Sequence, residues 1–194
     1  ESRKVFTYWI PASAGMTQTA VFRICNFCIV SNFVPRASDL PGPGMMTASE
    51  LATSFVSFAK TLGFIAVGFS RPHRPAYFDS FLNRLADRKH GDMTWLERNL
   101  DVREDPSKLL EGCQTIISLA YPYPNARHET KDGYCVARYA DPSREDYHFR
   151  LKKLGDDLFE WIQKDYPGSR ARVCVDSSPI LEKSIACQSG LGFI

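Results

Sequence analysis

The sequence predicts a mixed domain of the α/β or α+β class. After residue 47, segments with helical spacing and segments of strand length follow one another in the order α-β-α-α-β-α-β-α. The strand-length segments are short, apolar and partly β-branched, as is typical of buried strands. With 194 residues, of which 44% are hydrophobic, the chain is large enough to bury one sizeable core.

The first regular element is a helix that begins at Ala48 and ends before Gly63, a typical helix stop. Its apolar residues recur at the spacing of one helix face. They are Leu51, Phe55, Phe58, Ala59 and Leu62. A short apolar run at residues 64–69 follows and predicts the first strand.

Two helical segments are predicted before the next strand. Pro75 can open the first of them, because proline is favoured in the first helical turn. The inner face of that helix would carry Phe78, Phe81, Leu82 and Leu85. Residues 92–99 predict one or two further helical turns with Met93 and Leu96 buried. The β-branched, apolar run at residues 115–121 is the clearest strand of the sequence.

Residues 122–142 have the composition of a loop, and the segment Ser-Arg-Glu-Asp at 143–146 resembles a capping box. The box would open a long helix that ends at Pro167. Its apolar stripe contains Tyr147, Leu151, Leu154, Leu158, Trp161 and Ile162. A strand at 172–175 follows, and Ser178 and Pro179 would start the last helix as N-cap and first residue.

Residues 1–44 differ from the rest, because they show no sustained helical or alternating period and end in Pro-Gly-Pro-Gly at 41–44. A signal peptide is rejected, since a proline and a glycine interrupt the short apolar run near the N-terminus. We expect residues 1–44 to be a non-native or disordered extension. Residues 45–194 would then form the folded domain.

The composition favours a reduced, cytosolic protein over a disulfide scaffold, because the six cysteines are scattered apart from Cys25 and Cys28. That Cys-x-x-Cys motif has no second pair and no nearby histidine, which disfavours a metal or redox role. The net charge of +2 neither demands nor excludes a nucleic-acid partner. No apolar stretch approaches the ~18 residues of a membrane span.

Four residues are candidates for a functional site. Arg103 lies in a charged segment, where it is either a donor to a ligand or part of a solvated loop. Tyr139 offers a flat face and His148 a titratable nitrogen, although an aromatic-packed loop and a solvated histidine fit as well. Asp176 follows an apolar strand and precedes a helix, where α/β folds place ligands.

Asp176 has an alternative reading as an acidic residue favoured by the dipole of the following helix. We nevertheless expect solvent to be limited at the end of the apolar strand, since Val173 and Val175 precede the carboxyl group. Limited solvent favours the uncharged form of a carboxylic acid, which is the form that donates a proton.

Taken together and in this order, the motifs between residue 48 and the last residue resemble those of the epoxyqueuosine reductase family. The matching segments are L-G-F at 62–64, H-G-D-M-T-W-L at 90–96, R-E-D-P at 103–106, I-I-S-L-A-Y at 116–121, A-R-Y-A at 137–140, D-Y-H at 146–148, V-D-S-S-P-I-L-E at 175–182 and A-C-Q-S-G-L-G-F-I at 186–194. Two departures are a longer link at 141–145 and Phe193 at a position where the family more often has tryptophan.

The resemblance implies reduction of epoxyqueuosine to queuosine at the wobble position of a tRNA anticodon, with cobalamin and two [4Fe–4S] clusters as cofactors. It implies a nitroreductase-like, cobalamin-binding domain. In the family a ferredoxin-like domain with the cluster cysteines follows, and those cysteine runs are absent from this sequence. We therefore expect a fragment that ends before that domain and is inactive alone.

The resemblance also assigns roles to the four candidate residues. Asp176 would be the catalytic proton donor, and Arg103, Tyr139, His148 and Asp176 would contact cobalamin, with no protein ligand to a metal. The expected partner is a tRNA that carries epoxyqueuosine, bound by a cytoplasmic monomer away from any membrane. The alternatives are a different cobalamin and iron–sulfur reductase, related to reductive dehalogenases, and a non-catalytic remnant.

Overall fold

A computed structural model describes residues 24–31, 47–122, 129, 131–135, 137–139 and 145–192. These residues form four strands and five α-helices, with two short 3₁₀ helices at Thr94–Glu97 and Pro106–Leu109. The order is β1 (Ile24–Ser31), α1 (Ala48–Thr61), β2 (Ala66–Ser70), α2 (Phe78–Ala86), α3 (Leu100–Glu104), β3 (Thr115–Pro122), α4 (Tyr147–Asp165), β4 (Ala171–Cys174) and α5 (Glu182–Gln188). The mixed helix and strand class that the sequence predicts is confirmed.

The four strands make one sheet in the order β2-β3-β1-β4, and all three pairings are antiparallel. Strand β3 lies inside the sheet, and its five residues from Ile116 to Ala120 are all buried. A strand that is covered on both faces needs a continuous apolar run, which is the pattern that made this strand clear in the sequence.

Strand β1 corrects one part of the sequence prediction. Residues 24–31 were expected to lie outside the fold, but they form an inner strand that pairs with β3 on one side and β4 on the other. Ile29 lies opposite Ile117 and Val173, and none of its surface is exposed. A short apolar run without alternation is typical of an inner strand, so the absence of a period did not mean an absence of structure. Residues 1–23 and 32–46, including the predicted boundary, lie outside the described residues.

Helices α1 and α4 cover one face of the sheet. Thr47 and Glu50 form a complete capping box at the start of α1, where the sequence predicts a helix. Phe58 of α1 stacks on Trp161 of α4 at 5.6 Å between ring centroids. The main core lies between these helices and the sheet, and its buried residues are Ile29, Phe55, Ala59, Phe64, Ile117, Leu119, Leu151, Leu158, Ile162 and Val175.

Helix α5 covers the opposite face of the sheet. A second buried cluster joins Ile185 of this helix to the strands and contains Cys113, Ile116, Cys174, Ile180 and Ile185. The amide nitrogen of Tyr77, just before α2, donates to Ser184 Oγ at 3.3 Å, which ties α2 to α5. Across the described segments, every helix is too short or too polar to span a lipid bilayer.

Three helices begin later than the sequence predicts. Helix α2 begins at Phe78, not at Pro75. Asp146 is the N-cap of α4, because its carboxylate accepts the amide N–H of His148 at 2.8 Å; Ser143 of the predicted capping box lies outside the described residues. Helix α5 begins at Glu182, not at Ser178, because residues 177–180 form a series of bends. Met93, which was expected to be buried, is 42% exposed.

Gly68 allows α5 to approach β2 closely. A Cβ atom at this position would lie 2.5 Å from the carbonyl oxygen of Ser189, which is closer than such atoms come in proteins. We expect Gly68→Ala to lower the free energy of unfolding by about 1–3 kcal/mol, as for other overpacked sites. Gly168→Ala is the matched control, because nothing lies within 4 Å of that position. Equal denaturant midpoints for the two variants would contradict the close approach.

Candidate functional site

Asp176 lies two residues beyond the end of β4, in a backbone conformation that few residue types adopt. Its φ angle is +54°, in the left-handed region that aspartate and asparagine tolerate better than most side chains. The amide N–H of Asp176 donates to Glu182 Oε1 at 2.9 Å. This bond ties the turn after β4 to the first residue of α5, so two elements together hold Asp176 in place.

The carboxylate of Asp176 is contacted by the first turn of α4. The hydroxyl group of Tyr147 donates to Asp176 Oδ2 at 2.9 Å. The Nε2 atom of His148 lies 3.4 Å from the same oxygen. Hereafter, the Asp176 cluster denotes Asp146, Tyr147, His148, Asp176 and Glu182.

Asp146 orients the ring of His148. Its Oδ1 atom lies 2.8 Å from His148 Nδ1 and also accepts the amide N–H of His148. These bonds, the one from the amide first, hold the pKa of Asp146 below its ordinary value. Because Asp146 is therefore ionised at neutral pH, we assign the ring proton to Nδ1.

With the ring proton on Nδ1, His148 Nε2 and Asp176 Oδ2 are both hydrogen-bond acceptors. A neutral ring with its proton on Nδ1 presents a lone pair at Nε2, and an ionised carboxylate presents only acceptors. The two atoms attract each other when a proton is added to either of them. The Asp176 cluster thus places a ring nitrogen and a carboxylate oxygen within hydrogen-bonding distance of each other, beside the cleft described below.

Glu182 is the second carboxyl group of the Asp176 cluster and differs from Asp176 in its surroundings. Burial raises the pKa of Glu182 to about 8; the hydrogen bond from the Asp176 amide opposes this shift, and the negative charge of Asp176 adds to it. At neutral pH Glu182 therefore carries its proton, which is unusual for a glutamate.

An open cleft of about 490 Å³ lies next to the Asp176 cluster. Its walls come from α4, from β4 and from the turn that follows β4. They consist of His148, Phe149, Lys152, Asp156, Ala171, Arg172, Val173, Val175, Ser177 and Ser178. Asp176 lies between two of these wall residues in sequence, and its side chain is 68% exposed. The expected limit on solvent at Asp176 is therefore wrong for this structure, because the bend carries the carboxyl group beyond the buried strand.

The structure places three of the four predicted site residues together. The ring of Tyr139 meets the ring of Tyr147 edge-on at 5.3 Å between centroids, next to His148 and Asp176. Arg103 is buried in α3 instead, where its Nε donates to the Arg98 carbonyl at 3.4 Å. Burial lowers the pKa of Arg103. Its role in binding a cofactor stays a prediction.

Tyr147 and Glu182 are members of the Asp176 cluster that the sequence reasoning did not select. Both lie inside motifs that carried the family resemblance, D-Y-H and V-D-S-S-P-I-L-E. Tyr147 was counted as part of the apolar stripe of α4, although a tyrosine hydroxyl near buried surface normally has a partner. Glu182 was considered only as the last residue of its motif, and the fold shows that it reaches the Asp176 amide.

The described residues offer more to an aromatic or amide-rich ligand than to a metal ion. Tyr139, Tyr147 and His148 present flat faces and hydrogen-bonding edges beside the cleft. Among the residues that the structure describes, no three histidine, cysteine, aspartate or glutamate side chains are grouped so that they could hold a metal ion. These residues therefore fit the edge of an organic cofactor, and they do not provide the four thiolates of an iron–sulfur cluster.

Comparison with known proteins shows what this part of the chain resembles. A family model described as epoxyqueuosine reductase QueG, DUF1730, matches residues 103–177, a segment that contains all four predicted site residues. The chain is 32% identical over 166 residues to an epoxyqueuosine reductase of Pseudomonas aeruginosa, which covers 82% of this chain and 45% of the relative. It is 36% identical over 157 residues to that of Salmonella typhimurium, covering 75% of this chain and 39% of the relative.

Solved structures agree on the fold. The chain superposes on a selenomethionine-labelled epoxyqueuosine reductase with a TM-score of 0.60 at 24% identity, over 75% of this chain and 40% of that one. It superposes on an epoxyqueuosine reductase with an epoxyqueuosine-modified tRNA-Tyr stem loop with a TM-score of 0.59 at 21% identity, over 75% of this chain and 39% of the other.

The chain and its relatives thus share one mixed α and β architecture, and the relatives are reductases by name. Over most of its length, this chain is similar to epoxyqueuosine reductases in sequence and in fold. It spans less than half the length of the curated relatives it matches.

Proposed function

We propose that this chain contributes the substrate-protonating site of an epoxyqueuosine reductase, with Asp176 as the proton donor. The reaction opens the epoxide of epoxyqueuosine in tRNA and leaves the carbon–carbon double bond of queuosine. It takes two electrons and two protons, and the epoxide oxygen leaves as water. The observation that supports this proposal is the Asp176 cluster, in which the Asp176 carboxylate contacts a tyrosine hydroxyl and a histidine ring at the edge of an open cleft.

The oxygen released from an opened epoxide is basic and needs a proton from a nearby acid. Asp176 is 68% exposed beside the cleft, so a bound substrate can reach it directly. A bound substrate would also exclude water from the carboxyl group, which favours its protonated form. Tyr147 and His148 both contact Asp176 Oδ2 and fix the direction of the carboxyl group.

The cofactor implied by the family resemblance is cobalamin, which supplies the reducing equivalents when it is bound. Tyr139 and His148 are the described residues that would line its edge, since His148 lines the cleft and the ring of Tyr139 meets that of Tyr147 next to it. Arg103 would have to reach it from α3. The iron–sulfur clusters of the family have no ligand set among the described residues, and we assign them no role here.

The cleft also suggests how an anticodon loop is bound. Phe149 is 69% exposed at the cleft wall, although it is a large aromatic residue. Lys152 and Arg172 line the same cleft and can meet phosphate groups. An exposed aromatic ring with flanking cations is the pattern by which proteins bind unstacked bases of single-stranded nucleic acids.

We expect Phe149→Ala to weaken binding of an epoxyqueuosine-modified anticodon stem loop by about 1–3 kcal/mol, the usual contribution of one stacked base. Fluorescence anisotropy at fixed salt measures the dissociation constant. Trp95→Ala is the control, because Trp95 is also an exposed aromatic residue, at 56%, but does not line the cleft. An unchanged affinity for the Phe149 variant would show that the bases bind elsewhere.

The proposed function is tested with the protein expressed from its full gene. The protein is incubated with a modified stem loop, cobalamin and a reductant, and the nucleosides are then analysed by mass spectrometry. The proposal expects the modified base to lose one oxygen atom. A protein that binds cobalamin and the stem loop but leaves the epoxide intact under reducing conditions would contradict it.

A further inference from the structure

Glu182 makes a contact that neither the family resemblance nor the proposed proton donor explains. Its Oε1 atom accepts the amide N–H of Asp176 at 2.9 Å, across the bends that separate β4 from α5. Glu182 itself is half-buried, and Ile180 and Ser184, which lie two residues away on either side, are 5% and 2% exposed. A carboxyl group in such surroundings is costly unless it is bonded or uncharged.

We propose that Glu182 is a positioning residue for Asp176: its carboxyl group fixes the left-handed turn that presents the Asp176 side chain to Tyr147, His148 and the cleft. This inference rests on the proposed function, because it concerns the same proton donor. Asp176 holds a φ of +54°, and such a conformation persists in a non-glycine residue when its surroundings over-determine it. The bond to Glu182 supplies that constraint on the backbone side of the residue.

The protonation of Glu182 supports this assignment. Burial and the charge of Asp176 keep Glu182 uncharged up to about pH 8. An uncharged Glu182 accepts the hydrogen bond from the Asp176 amide without placing a second negative charge beside the Asp176 carboxyl group. Two titratable groups interact electrostatically with the Glu182 carboxyl group: the Asp176 carboxyl group and the Cys174 thiol. Tyr147 and His148 contact Asp176.

This charge state predicts how stability depends on pH. The folded protein binds the Glu182 proton more tightly than the unfolded chain does, because the pKa rises from 4.5 to about 8 on folding. The contribution of Glu182 is therefore complete below about pH 4.5 and is lost as the pH rises toward 8. We expect the melting temperature of Glu182→Gln to fall less than that of the wild type across this range, because glutamine does not ionise.

Amide hydrogen exchange tests the positioning role without any need for activity. In the 194-residue chain, the Asp176 amide should exchange on the order of tenfold faster in Glu182→Ala than in the wild type, as expected for the loss of one hydrogen bond. Glu182→Gln retains an acceptor and should keep the protection. Glu160→Ala removes an exposed glutamate from a different helix, α4, and is the control. Equal exchange at Asp176 in the wild type and both Glu182 variants would overturn the proposal.

Kinetics of the protein expressed from its full gene provide the second measurement. Glu182→Ala should lower kcat for epoxide reduction about tenfold and leave KM for the stem loop unchanged, and Glu182→Gln should restore most of the rate. In the double variant with Asp176→Asn, the Glu182 substitution should add little, because it acts through Asp176. Losses that multiply in the double variant would overturn the proposal. Absence of reduction in the wild type would refute the proposed function instead, and the exchange data would still decide the role of Glu182.

Discussion

Replacing Asp176 by asparagine is expected to lower the rate of epoxide reduction on the order of a hundredfold or more, the usual effect of removing a general acid. Asparagine is nearly the same size and tolerates the left-handed backbone at this position. Its amide oxygen can still accept the Tyr147 hydroxyl group, so the fold and the contacts to α4 should survive. What the variant lacks is a proton to deliver to the departing oxygen.

The measurement is the single-turnover rate of oxygen loss from the modified stem loop, with saturating protein expressed from the full gene. Asp87→Asn is the matched control. It makes the same chemical change outside the Asp176 cluster, at a surface residue that pairs with Lys89. An Asp176 variant that folds, binds the stem loop and reduces it at the normal rate would show that the proton comes from another group.

The second large effect concerns β1. We expect Ile29→Ala to lower the free energy of unfolding by about 2–5 kcal/mol, the usual cost of truncating a fully buried isoleucine. Ile29 has no exposed surface and belongs to the main core, on a strand between β3 and β4. Since small domains have a total stability of about 5–15 kcal/mol, this single change removes a large fraction of it.

Ile65→Ala is the control for this prediction, because Ile65 is 41% exposed and loses the same atoms. Chemical denaturation, monitored by tryptophan fluorescence, gives the midpoint of each variant. The midpoints are compared at the same dependence of the unfolding free energy on denaturant concentration. If residues 24–31 did not pair with the sheet, Ile29→Ala would cost no more than the control. The result therefore decides between an inner strand and the disordered extension that the sequence alone suggested.

The sequence predicted the elements whose patterns are set by local physics. The apolar faces of α1 and α4 follow from the helical period, and β3 follows from its continuous, β-branched apolar run; each lies where expected. Helix starts were less predictable, because caps depend on which side chain reaches a free amide. Asp146 captured the His148 amide, and the bends after Asp176 delayed α5 to Glu182.

The candidate site was predictable in its residue types and less so in its geometry. Tyr139, His148 and Asp176 lie close together because the start of α4 lies beside the turn after β4, whereas Arg103 lies in α3. Their roles stay predictions. The exposure of Asp176 and the contact from Glu182 depend on where a short strand ends, and no periodic signal encodes that point. Strand β1 was missed because an inner strand without alternation looks like an unstructured apolar segment.

The central claim is that the oxygen leaving the substrate takes its proton from the Asp176 carboxyl group, and chemical rescue tests it most directly. Asp176→Gly removes the carboxyl group at a backbone conformation that glycine adopts without strain. The open cleft leaves room for a small acid in its place. We predict that this variant reduces the stem loop slowly and that added acetate buffer, at fixed pH and ionic strength, restores the rate in proportion to its concentration. Wild-type speed of the glycine variant without any added acid would contradict the claim.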